Sequence, residues 1–141
     1  MRRVIFVLIV GVFGLIACST THYGLMYISP VGEGQDYPSL VDSLQPTLEW
    51  TQYREPDVSY DVIIYEGVRV KKPYSLGETK LVSGKVVYYR EGLKEPQHMI
   101  EEPLKPNAEY RWSVRARKGD KVTGWSMAIR NHPVFKTPGS K

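Results

Sequence analysis

The residue best placed to carry chemistry is Cys18, the only cysteine among the 141 residues of the chain. A disulfide within one chain is therefore excluded. A nucleophile, a metal ligand, a small buried apolar residue and an attachment point remain as alternatives. A catalytic Cys18 would need a general base beside it in a folded pocket, and the neighbouring stretch offers only His22. We therefore favour an attachment point.

The other groups that could do chemistry show no spacing typical of a catalytic or metal site. The three histidines, His22, His98 and His132, lie far apart and form no metal-binding motif. Glu101 and Glu102 are neighbours on a predicted strand, so their side chains face opposite sides and cannot act as a pair. The sequence therefore predicts no catalytic residue, no metal site and no cofactor.

The segment before Cys18 has the pattern of a secretory signal. Arg2 and Arg3 give a short positive start, and residues 4–16 are apolar without a charge. This run is shorter than the roughly 20 helical residues that cross a bilayer. The small Ala17 then precedes the cysteine. We predict a helical signal peptide over residues 1–17, and an uncleaved membrane anchor is the alternative.

Leu15-Ile16-Ala17-Cys18 resembles the lipobox of bacterial lipoproteins. The resemblance implies that the Cys18 thiol receives diacylglycerol, that the signal is cut before it, and that the new amino group can be acylated. Each buried acyl CH₂ contributes about 0.8 kcal/mol, so two or three chains anchor a protein firmly. Ser19 stands where Asp would favour the inner membrane, which implies the outer membrane, with the protein facing the periplasm or the cell surface.

The chain beyond the cysteine shows short alternating runs separated by Pro, Gly, Asn and Asp. This pattern predicts an all-β fold with two antiparallel sheets packed as a sandwich. One segment, residues 59–66, is apolar on both faces and is predicted to be a central strand. Further strands are predicted at residues 25–30, 46–50, 85–91, 97–102, 110–117 and 122–126, and a final edge strand at residues 132–137.

Leu104, Pro106 and Tyr110 are spaced as in the tyrosine corner of fibronectin type III domains, which this segment resembles. The resemblance implies that the Tyr110 hydroxyl returns to the backbone a few residues upstream. With cleavage before Cys18, we predict a lipidated N-terminus and tether over residues 18–26, one domain over 27–138 and a flexible tail over 139–141. Residues 67–96 form a longer stretch than that family usually has, which indicates an added hairpin. Another immunoglobulin-like sandwich is the alternative architecture.

The alternation of apolar and polar residues also predicts which side chains form the core. We expect the sandwich to enclose nine apolar residues contributed by several strands, without help from a disulfide. The predicted core residues are Leu48, Trp50, Tyr60, Val62, Ile64, Tyr110, Trp112, Val114 and Phe135.

The candidate interaction surface consists of Arg111, Arg115, Arg117, Trp125 and Tyr74. The arginines alternate with apolar residues and are predicted to face solvent, where they could meet anionic headgroups or an acidic partner. The alternative is pairing across strands with carboxylates such as Asp61, Glu66 or Glu91. Trp125 could stack on a sugar ring or lie under arginine side chains in cation–π contact. Tyr74 belongs to a predicted loop.

The charge balance excludes one class of partner. The formal net charge of +4 falls to +2 without Arg2 and Arg3, which leaves 17 basic against 15 acidic residues and does not indicate nucleic acid.

We expect a non-enzymatic, lipid-anchored envelope lipoprotein whose sandwich mediates protein interaction or envelope structure. The alternative is a carbohydrate-binding module for peptidoglycan or surface polysaccharide.

Overall fold

The computed structural model describes residues 24–126 and 133–140. The predicted signal peptide, Cys18, His22 and His132 lie outside this part of the chain. Within it, none of the residues forms a helix that could span a membrane. The strands are β1 (Tyr27–Ser29), β2 (Ser39–Leu40), β3 (Thr47–Trp50), β4 (Ser59–Lys71), β5 (Thr79–Leu93), β6 (Gln97–Met99), β7 (Glu109–Lys118), β8 (Lys121–Val122) and β9 (Val134–Lys136).

The strands form two sheets, which confirms the predicted all-β fold. One sheet has the order β1-β3-β6, and the other has the order β2-β9-β7-β4-β5 with β8 paired to β7. Two expectations were wrong. The short β2 pairs in parallel with β9, so the second sheet is not antiparallel throughout, and β9 lies inside the sheet instead of at its edge. Two residues are too few to show an alternating pattern, which is why the sequence did not predict β2.

The predicted central position of β4 is confirmed. β4 pairs with β7 over eight consecutive residue pairs, without a register shift, and with β5 on its other side. Tyr60, Val62 and Ile64 face the three-stranded sheet and are buried. Between them Asp61 has no exposed surface at all, a buried carboxylate that the sequence analysis placed among the solvent-facing residues.

All nine predicted core residues are buried, each with an exposed fraction of 2% or less. Edge-to-face contacts join Trp50 to Tyr60 and Trp112 to Tyr27, with ring centroids 5.4 and 4.8 Å apart. The Trp112 indole N–H donates to the Pro30 carbonyl at 2.8 Å. Leu25, predicted to belong to the tether, is also buried in this core.

The predicted hairpin within residues 67–96 exists, and it is an extension of β4 and β5. Beyond Glu66, where pairing with β7 ends, the two strands continue as a two-stranded arm, defined here as residues 67–83. Five regular residue pairs build it, and residues 72–78 connect its strands.

Towards the sheet, the register between β4 and β5 shifts three times. Each shift places one additional residue in β5, within the Glu91–Gly92 pair, at Val87 and within the Gly84–Lys85 pair. Such bulges bend a strand and increase its twist. β5 therefore curves along the border of its sheet, and no described strand pairs with its other edge.

Candidate functional site

The structure gathers four of the five predicted surface residues on the outer face of the larger sheet. Arg111, Arg115 and Arg117 alternate along β7 with the buried Trp112, Val114 and Ala116, so they project away from the core. Trp125 lies on the same face, because the Arg115 guanidinium carbon is 4.5 Å from the centre of its ring.

Asp61 forms ion pairs with two of these arginines, Arg115 and Arg117. Its carboxylate accepts hydrogen bonds from Arg115 Nε at 2.8 Å and from Arg117 Nη2 at 2.8 Å, and a longer one from the Gly92 amide. Burial alone would raise the pKa of Asp61. The hydrogen bonds from Arg117 and Arg115 more than offset this effect and hold its pKa below the ordinary value. Glu91 also contacts Arg117, at 3.4 Å.

Arg111 has an internal partner as well, since its guanidinium donates to the Leu81 carbonyl at 2.9 Å. Trp125 lies between Arg115 and Tyr89, whose ring plane is inclined by 73° to the indole. The two aromatic rings therefore form no flat platform. Arg115 and Arg117 pair with carboxylates across strands, as the alternative expected, whereas the partner of Arg111 is a backbone carbonyl.

Tyr74 lies far from these residues. Arg111 is opposite Tyr65 in the register, and β4 continues for six residues beyond that point, about 20 Å at the rise of an extended strand. Tyr74 then follows in the loop that closes the arm. The candidate surface predicted from the sequence thus divides into a sheet face and the end of an arm.

Four charged residues and the Leu81 amide fix the arm to the loop at Asp36 and to β7. The Asp36 carboxylate accepts a hydrogen bond from the Leu81 amide at 2.8 Å and lies 3.4 Å from the Lys72 ammonium. Arg69 binds both carboxylate oxygens of Glu109 at 2.8 Å and donates to the Asp36 carbonyl at 2.9 Å. The bond from Leu81 is the main cause that lowers the pKa of Asp36, and Arg69 lowers that of Glu109. We call these five residues the clamp.

The far end of the arm, residues 73–77, is here called the tip. Tyr74 and Leu76 have relative exposures of 108% and 105%, so neither side chain is covered by its own domain. Lys72 N–H donates to the Glu78 carbonyl at 2.9 Å, and the Ser75 hydroxyl donates to the Lys72 carbonyl at 3.3 Å, which closes the loop. Tyr74 adopts the left-handed region with φ of 64°, which is uncommon for a bulky residue.

The remaining candidate groups have structural partners. His98 stacks on Tyr88 and shares a hydrogen bond of 2.6 Å with its hydroxyl. Glu101 forms an exposed ion pair with Arg90. Over the described ranges, no three His, Cys, Asp or Glu residues are arranged to hold a metal ion.

The opposite end of the domain has a cleft of about 550 Å³. Four charged residues and one amide dominate its rim, and its apolar lining is limited to two prolines, a valine and a tyrosine. The lining residues are Gln52, Glu55, Pro56, Asp57, Val58, Tyr60, Lys94, Glu95 and Pro96. The cleft therefore offers a polar concavity and no deep apolar pocket.

The segment around Tyr110 has the geometry that its spacing suggested. The Tyr110 ring is buried, and its hydroxyl accepts a hydrogen bond from the Lys105 amide at 3.0 Å. This contact closes the loop that precedes β7.

Comparison with protein-family models, with curated proteins and with solved structures finds no significant match for the chain. Asp61 was named from the sequence only as a possible partner of the arginines, and neither its burial nor the contacts of Asp36 with the arm were predicted. For Asp61 a signal was present, because a single acid interrupts a strand that is apolar on both faces. Asp36 gave no signal, since it lies in a polar Gly-rich loop of ordinary composition.

Proposed function

We propose that this chain is a lipid-anchored, non-enzymatic protein of the bacterial cell envelope whose domain binds another protein. The lipobox-like sequence ending at Cys18 supports the anchor. The observation that carries the binding function is the arm, which extends beyond the sheet, is fixed by the clamp, and ends in two uncovered apolar side chains. A domain that only needed to fold would gain nothing from this exposure.

The position of the arm agrees with a tethered binding domain. The chain enters the domain beside Trp50, which pairs with Tyr27, and β4 begins near the same end. From there β4 runs for 13 residues towards the tip, about 40 Å at the rise of a strand. An anchor on Cys18 and the tip would therefore lie at opposite ends of the domain, with the tip directed away from the anchor.

The architecture also supports a fibronectin type III-like domain as part of this proposal. The two sheets, with β1, β3 and β6 in one and β9, β7, β4 and β5 in the other, have the kind of arrangement that the resemblance implied. The hydrogen bond from the Lys105 amide to the Tyr110 hydroxyl is what a tyrosine corner requires. Such sandwiches host many functions, so the proposed protein-binding function rests on the arm and not on the fold.

Polysaccharide binding has less support. Trp50 and Trp112 are buried, and the third tryptophan, Trp125, is covered by Arg115. The ion pairs of Asp61 with Arg115 and Arg117 likewise make these two cations less available to anionic headgroups.

Two experiments test the proposal. Cys18→Ala should leave an unprocessed precursor that lacks the acyl mass, and normal processing of that variant would contradict the anchor. Crosslinking in intact cells, followed by purification of the lipoprotein from membranes, should recover one stoichiometric protein partner. Recovery of glycan without a protein would favour the carbohydrate-binding alternative instead.

A further inference from the structure

We propose that the tip inserts Tyr74 and Leu76 into an apolar pocket of the protein partner, and that carboxylates at the rim of this pocket face Lys71 and Lys80. This inference rests on the protein-binding function proposed above and assigns its site. Tyr74 and Leu76 are the two most exposed large apolar side chains in the described part of the chain, and the next, Leu40, is 80% exposed. Only one residue separates them, so both can enter one pocket.

The arm presents these two side chains in a fixed position. The clamp ties β5 to the Asp36 loop through the Leu81 amide, and it ties β4 to β7 through Arg69 and Glu109. The loop itself is closed by the Lys72 amide bond to Glu78. A binding element that is already ordered loses little conformational entropy when its partner closes around it.

The backbone at Tyr74 supports a role for its ring. Left-handed backbone is normally occupied by Gly or Asn, and a bulky residue there carries backbone strain. The ring contacts nothing in its own domain that would compensate, because it is fully exposed. A contact outside the domain gives this arrangement a physical reason.

The charges around the tip indicate what borders the pocket. Lys72 is neutralised by Asp36 and Glu78. Lys71 and Lys80, which flank the tip on the two strands, are exposed and have no salt bridge to any carboxylate of the described ranges. A partner surface with Asp or Glu around the pocket would therefore complement the tip and select against basic surfaces.

A protein fits these features better than a membrane or a second copy. The tip lies at the end of the domain opposite to the point where the chain enters at Tyr27, and so away from the side to which the proposed anchor would be attached. The cleft near residues 52–58 of another copy is lined largely by polar and charged groups and offers no apolar pocket for Leu76.

The test uses a photoreactive phenylalanine analogue in the full-length protein in living cells, at position 76 and, as a control, at the exposed position 40. Position 76 should crosslink to one protein, and peptide mapping should place the contact in an apolar pocket bordered by Asp or Glu. Crosslinking from position 40 should be absent. Crosslinks from position 76 to lipid, to another copy of the chain, or to a protein surface without such a pocket would overturn the proposal.

Matched variants separate the tip from general stability. Tyr74→Gly relieves the left-handed backbone and removes the ring, whereas Asn107→Gly changes another left-handed position, with φ of 51°, away from the tip. Combined with the photoreactive residue at position 76, Tyr74→Gly should lower the crosslinking yield at least about tenfold. Asn107→Gly should leave the yield unchanged.

The charge reversals Lys71→Glu and Lys80→Glu together should also lower the yield at least about tenfold. An unchanged yield with Tyr74→Gly or with the charge reversals would overturn the proposal. If a partner crosslinks from other positions but not from 76, the assignment of the tip is wrong while the protein-binding function stands. If no exposed position crosslinks to a protein, both the assignment of the tip and the proposed protein-binding function are wrong.

Discussion

The buried carboxylate of Asp61 allows a quantitative test of how the larger sheet is held together. Asp61→Asn keeps the size of the side chain but removes the charge that two guanidinium groups share. Removing one member of a buried ion pair costs about 3–5 kcal/mol. The side chains of Arg115 and Arg117 are 21% and 30% exposed, so water can hydrate part of the released charge. We therefore expect a loss of about 2–3 kcal/mol in the free energy of unfolding.

Urea unfolding at neutral pH measures this loss, and Glu101→Gln provides the matched control. That variant makes the same carboxylate-to-amide change in the ion pair with Arg90, in which both side chains are 49% exposed. Exposed pairs contribute about 0–1 kcal/mol, so the control should unfold nearly like the wild type. Equal losses in the two variants would refute the reasoning that burial makes Asp61 important.

The same carboxylate predicts a pH dependence. The pKa of Asp61 is lower in the folded protein than its ordinary value of 3.8, because the arginine hydrogen bonds outweigh the effect of burial. The carboxylate therefore stabilises the fold fully above the ordinary pKa, and this contribution disappears as the pH falls through the folded pKa. The stability difference between wild type and Asp61→Asn should be constant from neutral pH to about pH 5 and decrease below pH 3.8. A difference that persists unchanged at lower pH would contradict this assignment.

Three further variants test the packing. Trp50→Ala should lower the free energy of unfolding by about 3–5 kcal/mol, which thermal melting would detect, and an unchanged melting temperature would disprove its role in the core. Tyr110→Phe should cost about 1 kcal/mol in urea unfolding, because the Lys105 amide loses its acceptor. Gly67→Ala should cost about 1–3 kcal/mol, since its Cβ would lie 2.8 Å from the Glu109 carbonyl oxygen and from Leu81 Cδ1, while Gly139→Ala, with open space around it, should change nothing.

The parts of the fold that follow from local pattern were predictable from the sequence. Alternation along β7 identified Tyr110, Trp112 and Val114 as core residues, and all three are buried. The segment that is apolar on both faces became the central strand β4, with neighbours on both sides. In these places the alternation of side chains along a strand is enough to show which residues face the core.

Features that depend on distant segments could not be predicted in the same way. The parallel pairing of Ser39 and Leu40 with β9 joins residues about 95 positions apart, and no local pattern encodes it. The burial of Asp61 arises because Arg115 and Arg117 stand next to it only after β4 and β7 pair in register. The separation of Tyr74 from the arginines likewise follows from the length of the arm, which depends on where β7 begins.

The three additional residues in β5 have a consequence for how neighbouring copies of the protein can associate. A long, regular border strand presents a row of free amide and carbonyl groups to which a neighbouring molecule can add its own strand, which is how many β proteins aggregate. Each bulge interrupts this row and turns the border out of plane. β5 can therefore be long enough to support the arm without becoming a template for intermolecular sheets. Deletion of Val87 would restore a regular stretch and promote such association.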